Sequence, residues 1–140
     1  MQTQTEKRQQ QLRDIAETYF EALRQKDFAA IPYADQVTLR APLAPGGVNQ
    51  PLVGKDALHA QWWVPLVPAL ENVEINVLEH YLNESLTAIC TEAVITINVA
   101  APPAALRVAD RFTVNAAGKI TEQENHFDPR DVTNPGWQNS

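Results

Sequence analysis

The sequence predicts an α+β domain in which N-terminal helices are wrapped by a curved, mainly antiparallel sheet with a mixed edge, closing a cone around an interior pocket. Three observations carry this prediction. Leu12, Ile15, Ala16, Tyr19, Phe20 and Leu23 recur at the spacing of a helix with one buried face. From residue 72 onward, four segments rich in Ile, Val and Thr alternate with period two, as strands do. Short turns join them, the clearest being Asn115-Ala116-Ala117-Gly118. Helices first and hairpins after is the order of an α+β fold.

Taken in order, residues 1–6 are expected to be frayed, and the amphipathic helix follows. Asp27 is placed to cap a second short helix ending before Pro32. Residues 36–41 read as a strand, with Val37, Leu39 and Ala41 on one face and Thr38 and Arg40 on the other. The prolines and paired glycines of PLAPGGVNQP make residues 42–51 a loop. Gly54-Lys55-Asp56 opens another helix, which Pro65 is expected to stop near Trp63. Strands are predicted at 72–82, 86–99, 104–115 and 119–127, with a break at Pro102-Pro103. The 140 residues form one domain, with 1–6 and 130–140 as loosely packed ends.

Composition narrows the function classes. A net charge of −6 without a basic cluster argues against nucleic acid or an anionic membrane as partner. Lys7-Arg8 and Arg24-Gln25-Lys26 come nearest to such a cluster, and both read as solvated helix residues. Cys90 is the only cysteine, so no intrachain disulfide is possible. The N-terminus has no signal-peptide pattern, and no apolar run reaches membrane-spanning length. A cytoplasmic location is the expectation.

Chemistry concentrates in LRVADRFTVNAAGKITEQENHFDP. Val108, Asp110, Phe112 and Val114 share one strand face. A carboxyl among such neighbours is either paired with a donor or kept neutral, which makes Asp110 the leading candidate for chemistry. Gln123, Asn125 and Phe127 share the pocket face of the last strand, leaving Glu124 and His126 outside. Asn125 either orients a ligand carbonyl or hydroxyl, or bonds Asp110 or a water. Trp62 and Trp63 are adjacent on a helix and face different ways, one toward the core and one toward the cavity mouth. Leu39, Ala41, Thr91 and Phe112 complete the predicted pocket wall. His59, His80 and His126 lack metal-ligand spacing, so no metal site is expected. Cys90 faces away from the pocket and reads as a small core residue. No glycine-rich phosphate loop or nucleophile elbow is present, and no cofactor is expected.

Three segments carry a resemblance to the nuclear-transport-factor-2-like superfamily, in its SnoaL-like and ketosteroid-isomerase-like branch. They are ETYFEAL with Asp27, YADQVTLRAP with GKDAL behind it, and ADRF with Gly118-Lys119-Ile120 and His126-Phe127-Asp128-Pro129. The resemblance implies a cone-shaped cystatin-like fold with a ligand-binding pocket. It places Tyr19 and Asp110 where ketosteroid isomerases carry two oxyanion donors. Tyr19 is alternatively a core tyrosine bonded to a buried acid. The isomerase's base, an aspartate before a proline on the first strand, is here Ala41 before Pro42. The limonene-epoxide-hydrolase triad is also missing, its places resembling Thr91, Ala93 and Asn125.

Two functions follow as expectations. The first is a SnoaL-like enzyme of isomerase, cyclase or hydratase type, acting on a hydrophobic carbonyl compound. Asp110 and Tyr19 would be its catalytic groups and Asn125 its orienting group. The second is a non-catalytic binding or dimerisation module with the same pocket, which Ala41 favours. A homodimer through the outer sheet face is expected, because residues 86–99 are apolar and Thr-rich on both faces. Glu92 and Arg111 are the outward charges near it, and His126 is structural or at the subunit interface.

Overall fold

The computed structural model describes residues 1–133. Helix α1 (Gln4–Gln25) is followed by a 3-10 turn (Phe28–Ala30), β1 (Tyr33–Arg40) and β2 (Leu52–Val53). A helical stretch containing α2 (Lys55–Leu58) and α3 (Val64–Leu66) comes next. Strands β3 (Glu74–Leu82), β4 (Ala88–Ile97), β5 (Ala104–Val114) and β6 (Ile120–His126) precede a last turn of helix, α4 (Arg130–Thr133).

The six strands form one sheet in the order β2-β1-β6-β5-β4-β3. β1 runs parallel to β6, and the other pairs are antiparallel. Register shifts interrupt β3 between Val77 and Glu79 and β5 between Thr113 and Val114. Such bulges bend a strand and increase its twist, which curves the sheet around α1. The β5–β6 hairpin closes as the sequence predicts. Gly118 takes a φ of 81°, and Asn115 Oδ1 accepts from the backbone N–H of Ala117 and Lys119 at 3.0 and 2.9 Å.

The predicted face of α1 is the buried one, and Ala22 joins it. It packs on the inward-facing side chains of the sheet, Ile89, Ala93 and Ile95 from β4 and Val108, Phe112 and Val114 from β5. Burying one large apolar side chain contributes about 1.5–3 kcal/mol, so this stripe is the main support of the helix.

Four expectations need correction. Residues 1–6 do not fray as a unit, because Thr3 caps α1. Its hydroxyl accepts the Glu6 N–H at 3.0 Å, and the Glu6 carboxylate accepts the Thr3 N–H at 3.3 Å. Arg8 and Arg24 are not merely solvated. Arg8 donates to the carbonyls of Leu86, Val114 and Asn115 at 2.9, 2.8 and 3.2 Å, and Arg24 donates to that of Ile75 at 3.0 Å. Arg8 satisfies carbonyls at the hairpin ends, and Arg24 one on the edge strand β3. Asp27 makes no side-chain cap on the turn after it.

The fourth correction concerns Pro65, which does not stop the helix. His59–Trp63 widens into a π turn in which the Val64 N–H reaches the His59 carbonyl. That shift of hydrogen-bond register brings Pro65 into the first turn of α3, where its missing N–H breaks no bond. Of the end expected to be loosely packed, Arg130–Thr133 is helical, and residues 134–140 lie outside the described residues.

Replacing Thr3 with Ala is expected to destabilise the fold by about 1 kcal/mol, because the hydroxyl that accepts the Glu6 N–H is lost. A melting temperature about 3–5 °C lower by circular dichroism checks this.

Candidate functional site

The helix fills only part of the concave face. A cavity of about 950 Å³ remains beside it. Its walls are mostly apolar, with Ile95 and Ile97 from β4, Leu106 and Val108 from β5, Leu23 from α1 and Leu66 from α3, and Gln61, Asp128, Arg130 and Asp131 add polar groups. Exposed Leu43 and Val99 mark its mouth, and residues 99–105, from the β4–β5 connection into the start of β5, run along the rim. The buried polar groups that line it are Tyr19, Asp110 and Asn125.

Alternation places these three together. Asp110 on β5 lies directly opposite Asn125 on β6, and Tyr19 comes down from α1 on the same side. A short relay orients the amide. The Tyr33 hydroxyl donates to Gln123 Oε1 at 2.7 Å, and Gln123 Nε2 donates to Asn125 Oδ1 at 3.1 Å. With its oxygen occupied, Asn125 presents its NH₂ to the Tyr19 and Asp110 side. The Tyr19 ring is fixed by edge contact with Phe20 and by Phe112, at centroid distances of 5.0 and 4.9 Å.

Asp110 is 2% exposed, and its Oδ1 has no hydrogen-bond partner among the described residues. The sequence leads one to expect Tyr19 or Asn125 to bond it, and no such bond is formed at Oδ1. Burial pushes the carboxyl from its ordinary 3.8 up to about 8, so it keeps its proton at neutral pH. Burial, followed by the nearby Asp110 charge, raises the Tyr19 hydroxyl well above its usual 10, although the amides of Gln123 and Asn125 pull it down. Tyr33 is raised by the same two causes and lowered by Gln123. The cavity therefore offers hydrogen-bond donors at neutral pH: a carboxylic acid, a phenol and an amide NH₂.

Among the residues predicted for the site, Tyr19, Asp110, Asn125, Phe127, Trp62 and Ala41 line the cavity. Leu39, Thr91, Phe112, Gln123 and Trp63 do not line it, although all are buried. Phe112 supports Tyr19, Gln123 orients Asn125, and Trp63 packs on Phe28 with ring centroids 5.5 Å apart. Thr91 is bonded to His80 at 2.8 Å, and Leu39 lies beside Gln123 in the parallel β1–β6 register. Strand alternation identifies the inner face but not how far along the strand the helix fills it. The same gap hid Ile97, Leu106 and the 99–105 rim. Extending the β4 alternation from Thr91 and Ala93 to Ile95 and Ile97 was the signal available for the cavity wall.

Cys90 lies on the other face, as expected, with its thiol pKa pushed up by partial burial and then by the Asp110 charge. Arg111 also faces outward, donating to Glu122 at 2.9 Å. Glu92 accepts the Tyr81 hydroxyl at 3.0 Å. No group of three or more His, Cys, Asp or Glu among the described residues is arranged to hold a metal ion. None of the described helices is long and apolar enough to cross a membrane.

A helix laid in a bent six-stranded sheet, with a buried polar cluster in a mostly apolar cavity, defines the class: a conical α+β domain of the nuclear-transport-factor-2-like type. The chain belongs to the SnoaL-like domain family, which matches residues 16–123. Solved structures share the fold. The epoxide hydrolase/cyclase-like enzyme SalBIII, which has a role in pyran ring formation in the polyether salinomycin, superposes with a TM-score of 0.72 at 19% identity, over 88% of this chain and 95% of that one. An NTF2-like protein from Anabaena variabilis gives 0.72 at 18% identity, over 91% and 94%. RV0760c from Mycobacterium tuberculosis, solved with estradiol-17beta-hemisuccinate, gives 0.69 at 15% identity, over 84% and 94%. No curated protein matches the chain.

The Asp110 carboxyl makes stability depend on pH. The unfolded group ionises near 3.8 and the folded one near 8. Between those values the folded state holds the extra proton, so its contribution is fully present below pH 3.8 and is lost as pH rises toward 8. The slope approaches about 1.4 kcal/mol per pH unit for one group. Urea denaturation from pH 4 to 9 is expected to show this decline in the wild type and a flatter profile in Asp110→Asn. Parallel profiles would place the folded pKa near its ordinary value.

Proposed function

We propose that this chain is a SnoaL-like small-molecule enzyme of isomerase, cyclase or hydratase type, acting without a cofactor on a hydrophobic carbonyl compound. The observation that carries the reading is the unpartnered Asp110 Oδ1, buried and set in the wall of an apolar cavity. A buried polar atom without a partner is costly and rare, and a ligand atom accounts for it directly. At neutral pH the acid donates to a carbonyl oxygen alongside the Tyr19 hydroxyl. As charge moves onto that oxygen, both bonds strengthen, so the donors lower the barrier more than they strengthen ground-state binding. Asn125, held by Gln123, orients the group. The steroid analogue in RV0760c and the cyclase chemistry named for SalBIII are compatible with an apolar ligand of this kind.

A second reading has its own support. Ala41 lines the cavity where ketosteroid isomerases carry their base, and a methyl group takes no proton. That favours binding without turnover. We also infer a homodimer through the outer sheet face, where Leu78 and Tyr81 are exposed. Light scattering at micromolar concentration is expected to give twice the chain mass, and a monomer would count against it.

The test uses 2-acetonaphthone, an apolar ketone with exchangeable α-protons but no O–H or N–H. Calorimetry is expected to show saturable binding, weakened about five- to tenfold in Tyr19→Phe by loss of one hydrogen bond. Proton NMR in D₂O is expected to show exchange of its methyl protons, each leaving to water or hydroxide at the cavity mouth while Asp110 and Tyr19 donate to the enolate oxygen, slowed at least about a hundredfold in Asp110→Asn. Binding without exchange supports the second reading. Unchanged affinity in Asp110→Asn together with a lower melting temperature would make Asp110 structural.

A further inference from the structure

One row of polar side chains crosses the inner face of the sheet. His80 on β3 lies opposite Thr91 on β4, Thr91 opposite Asp110 on β5, and Asp110 opposite Asn125 on β6. The β4–β5 pairs that flank this row on the same face are apolar, Ile89 with Phe112 on one side and Ala93 with Val108 on the other. Thr91 and Asp110 are 0% and 2% exposed, so the row passes through the driest part of the fold. It is also continuous with solvent. Thr91 Oγ1 is 2.8 Å from His80 Nδ1, and His80 Nε2 is 2.8 Å from Glu17 Oε1 on α1. The Glu17 side chain is 53% exposed. A hydrogen-bonded path therefore leads from bulk water to the residue beside Asp110, whose Oδ1 is unpartnered.

We infer that Glu17, His80 and Thr91 form the route by which Asp110 exchanges its proton with solvent while a ligand fills the cavity, an inference that rests on reading Asp110 as the acid of the site. An apolar ligand expels water from the cavity, and with it the simplest proton source. Directly opposite residues of an antiparallel pair hold their Cβ atoms about 4.5–5.5 Å apart. A swing of the Asp110 carboxyl, or one water, spans the distance to Thr91 Oγ1.

The inward step balances. The Nδ1–H bond of a protonated His80 breaks as Thr91 Oγ1 takes that proton. The original Thr91 O–H bond breaks as the Asp110 carboxylate takes the other. The positive charge on His80 and the negative charge on Asp110 are both discharged. His80 is left neutral with its hydrogen on Nε2; a flip of the ring turns that N–H toward Thr91 and the freed Nδ1 toward Glu17 and water at the sheet edge, where the side chain is 14% exposed and Nδ1 takes up the next proton. The reverse sequence carries a proton out. The other titratable groups near the row are Tyr19 from α1 and Tyr33 from β1, both kept protonated by burial, Cys90 on the opposite face of β4, and Glu79, which accepts the His80 backbone N–H. His80 and Thr91 are absent from the cavity wall, so they are positioning residues for Asp110 and make no contact with ligand.

The experiment follows the ¹³C carboxyl resonance of Asp110 through a pH titration of the full chain, with and without saturating 2-acetonaphthone. Without the ketone, cavity water exchanges the proton, and the wild type, Thr91→Val and His80→Phe proteins are expected to show one line that moves continuously. A midpoint that stays near the wild-type value in that arm also shows that the variants fold. With the ketone bound, the wild type and Thr91→Ser keep one moving line. Thr91→Val and His80→Phe are expected to split into separate acid and carboxylate lines, because exchange slows at least about tenfold without the route. One moving line in both ketone-bound variants would overturn the relay, since the proton would then arrive through the mouth. A ketone that leaves the wild-type Asp110 line unshifted would refute the ligand reading, and the relay with it.

Discussion

One helix lies in the concave face of a six-stranded sheet, and one helix cannot fill it. At 22 residues, α1 is about 33 Å long and presents a single apolar stripe. Leu12, Ile15 and Ala16 close one part of the bowl completely. Tyr19 and Leu23, further along the stripe, line the cavity instead. The cavity is the space that this mismatch leaves, and the helical stretch around Trp62 and α3, with residues 99–105, covers it without filling it.

The electrostatics follow from that packing. Asp110 lies at the boundary between the filled and the open part of the sheet face. Water is stripped from it by Val108, Phe112 and the helix, and no cation on its own face compensates, because Arg107 and Arg111 alternate outward. Its proton is retained because ionisation in that setting costs more than the ordinary carboxyl gains by it. The same dryness keeps Tyr19 and Tyr33 protonated, so the groups at this end of the cavity act as donors. Inward alternation brings His80, Thr91, Asp110 and Asn125 into one line, because strands in register repeat the same face at each step across a sheet.

Sequence alone determined the order of the main elements, though not the short β2 or α4, together with the buried stripe of α1, the β5–β6 turn and the inner face of the main strands. Those features are local, written in periods of 3.6 and 2 and in the conformational freedom of Gly118. The isolation of Asp110 among apolar neighbours was legible for the same reason. Tertiary structure decided what lies between elements. Thr91, Phe112, Gln123, Leu39 and Trp63 face inward as their spacing requires, yet they support the cavity and do not line it, because depth along a strand depends on where the helix crosses it. Arg8 and Arg24 became backbone ligands only once the sheet brought carbonyls within reach, and Pro65 was accommodated by a widened turn that a proline in a sequence does not announce. The missing bond at Asp110 Oδ1 and the link from Thr91 through His80 to Glu17 are likewise long-range. They arise from residues far apart in the chain meeting across β3, β4 and α1, a contact that no local period encodes.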